Sequence, residues 1–470
     1  MSITTLELRG RDLVIIPAEQ WLDLSLSVLL SMLFGTYLPT AIRANIAQDK
    51  RHAFLRMQPI HLSVVKQALE RQQVPFAVAF DERPALAYET KLALEPRPYQ
   101  EEALANWLAE GSRGVVVLPT GAGKTFVAAL AIHETGLKTL AVVPTIDLLQ
   151  QWRTALAAAL SLEANEIGVF GGGEKELKPI TIITYDSAAL YPRELRHFGL
   201  LIFDECHHLP APTYRLIAES AFTPLRLGLS ATPERSDMAH ADLDELIGPE
   251  VYRRSPSELT EGRYLAQYEE RRIDVVLSDE DEARYSEQRR IYRSFLQRRR
   301  IVIHSPEDFQ QKLIYMSARD GEAREAMLAW REARNIAMNA PAKYDEIEQL
   351  LRLHADDLVL LFSEYNYVVD EISRRFCIPA ITYKTPTEER RVILERFRSG
   401  QYTKLATGRV LNEGVDVPDC RVAIIVSGNS TKREYIQRLG RILRPKEEQA
   451  LLYELITSGT TEEEVAKRRR

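Results

Sequence analysis

Short apolar runs alternate with helical stretches through most of this chain. Between Gly114 and about Tyr252 the runs are Val115–Leu118, Leu140–Val143, Ile180–Ile183, Leu200–Phe203 and Leu225–Leu229. Each is almost continuously apolar, as in a strand buried on both faces. Together they predict a parallel sheet with helices packed on it. A second alternation opens at Asp357-Leu-Val-Leu-Leu-Phe362, and Leu451–Ile456 completes its sheet. Ahead of both, Thr5–Arg9 and Leu13–Ile16 predict a hairpin around Gly10-Arg-Asp12. His61–Leu69 carries apolar positions at helical spacing, and Val74–Phe80 predicts a strand. A further helix is expected over Glu101–Glu110, and a frayed tail over Lys467–Arg470. The fold class is α/β, and function is expected at the carboxyl ends of the parallel strands.

Composition narrows the classes. The chain has 470 residues, enough for two to four domains, with 45% apolar and 27% charged residues. Its net charge of −6 is not that of a basic nucleic-acid-coating module, so any such contact must come from local patches. Cys206, Cys377 and Cys420 are far apart and form no C-x-x-C pair, which argues against a zinc ribbon or an iron–sulfur cluster and fits a reducing compartment. The segment Leu24–Pro39 lacks charge but is too short and too interrupted for a membrane span, so it predicts a buried segment. The opening residues carry no secretory pattern.

The strongest chemical signal is Leu118-Pro-Thr-Gly-Ala-Gly-Lys-Thr125, placed between a predicted strand and a predicted helix. A glycine loop at a helix N-terminus turns backbone N–H groups toward an anion. Lys124 can reach the β- and γ-phosphates of a nucleotide, and the Thr125 hydroxyl can bind Mg²⁺. The strict pattern wants glycine where this chain has Leu118. The second signal is Asp204-Glu205 at the end of an apolar strand, followed by Cys206-His207-His208. ATP hydrolysis needs one carboxylate for Mg²⁺, which suits Asp204, and one for water, which suits Glu205. A helix cap or a histidine metal site are the alternatives; on an extended segment His207 and His208 would point opposite ways and not chelate together. Gln100, just before the phosphate loop, is a candidate reader of the adenine edge.

Thr120–Thr125, Asp204–His207 and Ser230-Ala-Thr232 resemble helicase motifs I, II and III, in order and each at a strand end. Downstream, Leu405–Asp419 resembles motif V and Glu434–Pro445 motif VI. The chain is thus similar to superfamily-two helicases, and within them to the XPB family and its archaeal members. Arg97-Pro-Tyr-Gln100, Val143-Pro-Thr145, Thr184-Tyr-Asp-Ser187, Glu205–Pro210 and Tyr435–Pro445 carry that likeness, firmly over residues 94–457. The resemblance implies two RecA-like lobes, residues 89–255 and 256–470, after a small N-terminal domain, residues 1–88, of the damage-recognition kind. It also implies a helical thumb near 280–340. The activity implied is an ATP- and Mg²⁺-dependent DNA translocase or helicase of 3'-5' type, serving excision repair or transcription.

The implied nucleotide site includes Arg97, Gln100, Thr120, Gly121, Ala122, Gly123, Lys124, Thr125, Gly414 and Asp416. Catalysis is implied for Lys124, Asp204, Glu205, Gln437, Arg441 and Arg444, with Arg438, Arg441 and Arg444 spaced along one side of a helix as arginine fingers. Such fingers act when the lobes close. DNA contact is implied for Pro144, Thr145, Gly171–Gly173, Thr184 and Ser187 in the first lobe, and for Ser363 and Thr407 in the second. The family's Arg-Glu-Asp loop reads Arg235-Ser236-Asp237 here, lacking its central acid, which puts strand separation in doubt but not hydrolysis. The thumb would offer Arg289, Arg290 and Arg293 to phosphates without reading sequence. The expected partners are duplex or forked DNA and a NurA-like nuclease, with no membrane and a monomeric motor. The expected location is the cytoplasm, or the nucleus for a eukaryotic chain. An RNA helicase, a restriction-system motor and a DNA-bound ATPase switch that recruits a nuclease remain as alternatives.

Overall fold

The computed structural model describes all residues except 1–2, 10–11, 19–20, 22–24, 50–53, 193, 234–238, 263–267, 304–305, 409–419, 428–449 and 470. The chain divides into two compact units, Met1–Glu258 and Leu259–Arg470.

The first unit begins with a five-stranded sheet in the order β3-β4-β2-β1-β5. Its strands are β1 (Thr4–Arg9), β2 (Asp12–Ile16), β3 (Ala47–Asp49), β4 (Phe54–Met57) and β5 (Phe76–Val78). The hairpin β1–β2 is antiparallel, with Arg9 opposite Asp12, whereas β5 joins β1 in parallel. β5 is shorter than the run Val74–Phe80 because Val74 is spent elsewhere: its N–H closes the helix Leu62–Arg71 on the Leu69 carbonyl. Pro75 has no N–H to give. The helix Leu26–Phe34 buries Leu29, Leu30, Leu33 and Phe34 but leaves Val28 and Met32 exposed, so the uncharged run is one apolar stripe rather than a wholly buried segment.

This small sheet packs on its own apolar cluster, built from Leu6, Ile15, Leu33, Leu55 and Val65 among others. Phe222, from beyond it, packs into its cluster and meets Phe80 edge-on at 4.7 Å, while Ile60 packs into the next core.

That next core belongs to an eight-stranded sheet in the order β13-β6-β12-β11-β7-β10-β8-β9. The strands are β6 (Arg113–Val117), β7 (Thr139–Val143), β8 (Gly168–Gly171), β9 (Glu174–Lys175), β10 (Ile180–Thr184), β11 (Leu200–Asp204), β12 (Leu225–Ser230) and β13 (Glu250–Arg253). Every pairing is parallel except β8 with β9. The five expected strands form the buried centre. The stretch Gly171–Gly173 is the end and turn of the β8–β9 hairpin rather than an open loop.

A buried arginine holds the far end of this core. Arg226 on β12 is 1% exposed and has no carboxylate partner among the described residues; its guanidinium donates to the carbonyls of Ala218 (3.0 Å), Ala221 (2.8 Å), Thr223 (3.1 Å) and Leu246. Burial pushes its pKa well below the usual arginine range.

The second unit holds a parallel sheet ordered β14-β19-β18-β15-β17-β16. Its strands are β14 (Tyr268–Val275), β15 (Val359–Ser363), β16 (Ala380–Ile381), β17 (Lys404–Thr407), β18 (Val422–Ser427) and β19 (Ala450–Thr457). The predicted last strand lies inside the sheet; the charged strand β14 takes the edge beside it. Between β14 and β15 the helices Asp279–Arg298 and Gly321–Met338 run antiparallel. Tyr285 meets Ala333 and Ala337 at one end, and Phe295 meets Ala323 and Ala326 at the other. The expected frayed tail is instead helical: Thr461–Arg469 forms a helix anchored by buried Glu462. Among the described residues no helix is long and apolar enough to cross a membrane.

Candidate active site

Strands β6 and β11 deliver the two motifs side by side with β12 between them, all at their carboxyl ends. Leu118 extends the β6 ladder by donating its N–H to the Ser230 carbonyl at 3.0 Å, and its side chain is fully buried. Leucine therefore fits where the strict pattern has glycine, because this position needs a strand-like backbone and a core side chain. The left-handed turns fall later, at Gly121 (φ 85°) and Gly123 (φ 77°). A Cβ on Gly123 would come 2.7 Å from the Gln100 side-chain amide.

Gln100 is buried beneath this loop. Its Nε2 donates to the Ala122 carbonyl (3.2 Å), its Oε1 accepts the Arg97 N–H (3.0 Å), and the Tyr99 hydroxyl donates to the same Ala122 carbonyl (2.7 Å). The pair Tyr99 and Gln100 thus braces the phosphate loop, a role the sequence reading did not see. Lys124 opens the helix Lys124–Thr135, with Nζ 3.4 Å from the Leu118 carbonyl and 3.8 Å from Glu205 Oε1. Thr120 Oγ1 is buried with no hydrogen-bond partner among the described residues.

Asp204 ends β11, and Glu205 then turns sharply, with φ 45° and ψ 52°. Trp152 from the helix Ile146–Ala159 donates its indole N–H to Asp204 Oδ2 at 3.0 Å, and the Tyr185 hydroxyl donates to the Asp204 carbonyl at 3.0 Å. Glu205 Oε2 lies 3.4 Å from both His207 Nδ1 and Ser230 Oγ, which themselves are 3.3 Å apart. Ser230 Oγ also accepts the Thr232 N–H at 3.2 Å. This links motifs II and III through one hydroxyl.

Burial, and then the charge of Glu205, raise the Asp204 carboxyl to about 7. Burial pushes Glu205 up as well, yet Lys124 and the His207 hydrogen bond outweigh it and hold Glu205 well below the usual carboxylate range. Two adjacent carboxylates are thereby driven apart, Glu205 ionised and Asp204 ready to exchange a proton for a cation. A buried carboxylate, the Thr125 hydroxyl and the unpartnered Thr120 hydroxyl are hard oxygen donors, which fit Mg²⁺ with nucleotide phosphates.

The histidines are arranged differently from the expectation. Residues 206–208 form a single 3₁₀ turn, not an extended segment, and the rings of His207 and His208 lie side by side with centroids 4.2 Å apart. The left-handed turn at Glu205 causes this. Among the described residues no cluster of three metal-ligating side chains occurs.

The expected nucleic-acid contacts separate into groups. Thr145 follows Pro144 and caps the helix Ile146–Ala159, accepting the Leu148 N–H at 3.2 Å. Thr184 accepts the Ser187 N–H (3.3 Å) and donates to Ser187 Oγ (2.9 Å), so its hydroxyl serves a cap first. Ser363 and Thr407 are buried, Ser363 bonded to Ser427 Oγ (2.8 Å) and Thr407 donating to the Gly408 carbonyl (3.1 Å). Arg290 is paired with Glu287 at 2.6 Å. Arg289 and Arg293 line a cleft of about 470 Å³ with Ser286, Ser294, Gln297 and Thr461. Arg235, Asp237, Gly414, Asp416, Gln437, Arg438, Arg441 and Arg444 lie outside the described residues.

Residues 93–235 match the family described as type III restriction enzyme, res subunit, and residues 324–470 match the ERCC3/RAD25/XPB C-terminal helicase. The DNA 3'-5' translocase XPB2 of Sulfurisphaera tokodaii is 45% identical over 378 residues, covering 80% of this chain and 85% of that protein. The DNA 3'-5' helicase XPB of Mycobacterium tuberculosis is 33% identical over 385 residues, 79% of this chain but 62% of its own length. Among solved structures, the Pyrococcus furiosus Hef helicase domain aligns over 80% of this chain and 98% of its own with a TM-score of 0.57 at 19% identity. S. cerevisiae Dbp5 bound to RNA and ADP BeF3 aligns over 80% of this chain and 87% of its own at 0.55 and 13%. These two speak to the fold alone, that of RecA-like helicase domains. With the glycine loop, the carboxylate pair and the hydroxyl link all at the ends of one parallel sheet, and with a relative this similar along most of both chains, the chain belongs to the XPB family of DNA helicases and translocases.

Proposed function

We propose that this chain is an ATP- and Mg²⁺-dependent DNA translocase of 3'-5' direction that acts on DNA in repair or transcription. The observation that carries this reading is the buried Asp204–Glu205 pair facing Lys124 across 3.8 Å at the mouth of a glycine loop. The loop amides of Thr120–Gly123 and Lys124 bind the phosphates. Thr125 and Asp204 would hold Mg²⁺, which would supply charge neutralisation on the phosphoryl group. Glu205, ionised beside His207, accepts the proton of the attacking water. Arg97 and Gln100 face the base; Gln100 keeps one amide hydrogen and one lone pair beyond those spent on Ala122 and Arg97.

By likeness to the family's motifs V and VI, Gly414 and Asp416 take part in nucleotide binding, and Gln437, Arg441 and Arg444 in hydrolysis. DNA follows Pro144, Thr145, Ser187 and the Gly172–Gly173 turn in the first unit, with Arg235 and Asp237 after motif III. Arg289 and Arg293 hold its backbone in the second. Such contacts carry no base information and suit movement along any sequence. A NurA-like nuclease is the proposed partner, and a cytoplasmic setting the proposed location.

The test is the steady-state ATPase rate without nucleic acid and with single-stranded DNA, duplex DNA or RNA, using Glu205→Gln as the blank. The proposal expects stimulation by DNA over RNA and nucleotide binding without turnover in the variant. Stimulation by RNA alone, or undiminished hydrolysis by Glu205→Gln, refutes it.

A further inference from the structure

The bond between Trp152 and Asp204 joins two parts of the first unit that the proposed function uses separately. Asp204 is a cation ligand at the nucleotide. Trp152 belongs to the middle of the helix Ile146–Ala159, whose N-terminal end, capped by Thr145, lies on the proposed DNA path.

That helix is held at both places by the same face. Near its start, Ile146 is exposed and rests against the Gly172 turn, where a Cβ would meet it at 3.1 Å; Leu149 packs on Gly171, where a Cβ would also meet it at 3.1 Å. Ile146, Leu149 and Trp152 are spaced three apart, so they follow one side of the helix. From Ile146 to Trp152 the helix rises by about 9 Å, at 1.5 Å per residue. There, in the middle of the helix, the indole is 3% exposed, and its only polar atom is spent on Asp204 Oδ2. Indole N–H is a donor only, so the bond has one polarity and fixes which carboxylate oxygen is turned to the helix. Any shift of the helix along its axis must move or break it.

We propose that Trp152 is a positioning residue that couples DNA contact to cation binding: DNA seated at the Thr145 and Gly172 end sets the helix, and the helix, through the Trp152 indole, orients Asp204 for Mg²⁺. This rests on Asp204 being the Mg²⁺ ligand.

The test uses the full chain and a fluorescent ADP, titrated with MgCl₂ at fixed nucleotide, for wild type and Trp152→Phe. Phenylalanine keeps an aromatic ring and removes the donor. A hydrogen bond to a charged group of this kind predicts a Mg²⁺ midpoint raised by about 10- to 100-fold, with Mg²⁺-free nucleotide binding unchanged. Duplex DNA should lower the midpoint in wild type and not in the variant. An equal midpoint in both proteins overturns the proposal, even with a lower melting temperature, because packing alone would then be the residue's role. A wild type whose nucleotide binding ignores Mg²⁺ overturns the Asp204 assignment as well. If the variant does not fold, hydrogen exchange on wild type decides. Adding Mg²⁺ to the ADP complex should slow exchange in residues 146–152, and no change overturns the coupling.

Discussion

Lys343 and Glu462 are the most completely buried ion pair in the second unit among the described residues, at 0% and 1% side-chain exposure. The lysine spends its three hydrogens on the Val426 carbonyl (2.8 Å) and on both Glu462 oxygens (2.9 and 2.7 Å). Glu462 in turn accepts the Thr457 N–H at 2.9 Å. One contact thus pins the helix Pro341–Leu353, strands β18 and β19, and the C-terminal helix. Lys343→Met would leave Glu462 buried without its ammonium partner, and Glu462→Leu would leave a buried ammonium without its carboxylate. Removing one partner of such a pair typically costs about 3–5 kcal/mol, whereas replacing both with apolar groups is often neutral. For a unit of this size that corresponds to a fall of about 6–20 °C in melting temperature for each single variant. The double variant Lys343→Met/Glu462→Leu should recover most of it, giving a coupling energy of about 3 kcal/mol or more. Two units need not melt together, so the assay is calorimetry or urea unfolding of the full chain, with the transitions fitted separately. Nucleotide binding by the first unit should be unaffected. A double variant as unstable as the sum of the two singles, or single variants costing under 1 kcal/mol, would refute this reasoning.

Two further perturbations probe the nucleotide site. Gly123→Ala should weaken nucleotide binding at least tenfold, since it forces a side chain into a left-handed turn and to 2.7 Å from Gln100; isothermal titration with ADP checks this, and unchanged affinity would count against the bracing role of Gln100. Asp204→Asn tests the raised carboxyl. An acid whose folded pKa is about 7 against 3.8 unfolded takes up protons on folding between those values, so it costs stability increasingly as pH rises through that window. The nucleotide-free variant should therefore gain melting temperature relative to wild type at pH 8 more than at pH 5. Glu205 stays ionised across this range in both proteins and cancels. A difference that is flat or reversed with pH would show that Asp204 is charged in the free protein.

The centre of the first parallel sheet, strands β15 and β19 of the second, and the chemistry at the carboxyl ends of the first sheet's strands were legible in the chain alone, whereas β18, between β15 and β19, was not. A strand buried on both faces is apolar at nearly every position, so Val115–Leu118 or Leu200–Phe203 declares itself locally. A phosphate loop and an acidic pair are likewise contiguous in sequence. What tertiary structure decided involves neighbours far apart along the chain. Edge strands β13 and β14 carry charged residues and no continuous apolar run, and they become strands by pairing with β6 and β19. Trp152 and Asp204 are 52 positions apart, and only the packing of helix on sheet brings the carboxylate to the indole. Ser363 and Thr407 are polar at strand ends, as surface residues would be, and are buried because their hydroxyls find partners inside. Hydropathy patterns report which face of an element meets water. Which donor meets which acceptor depends on how the elements stack, and that is set only when the sheets close.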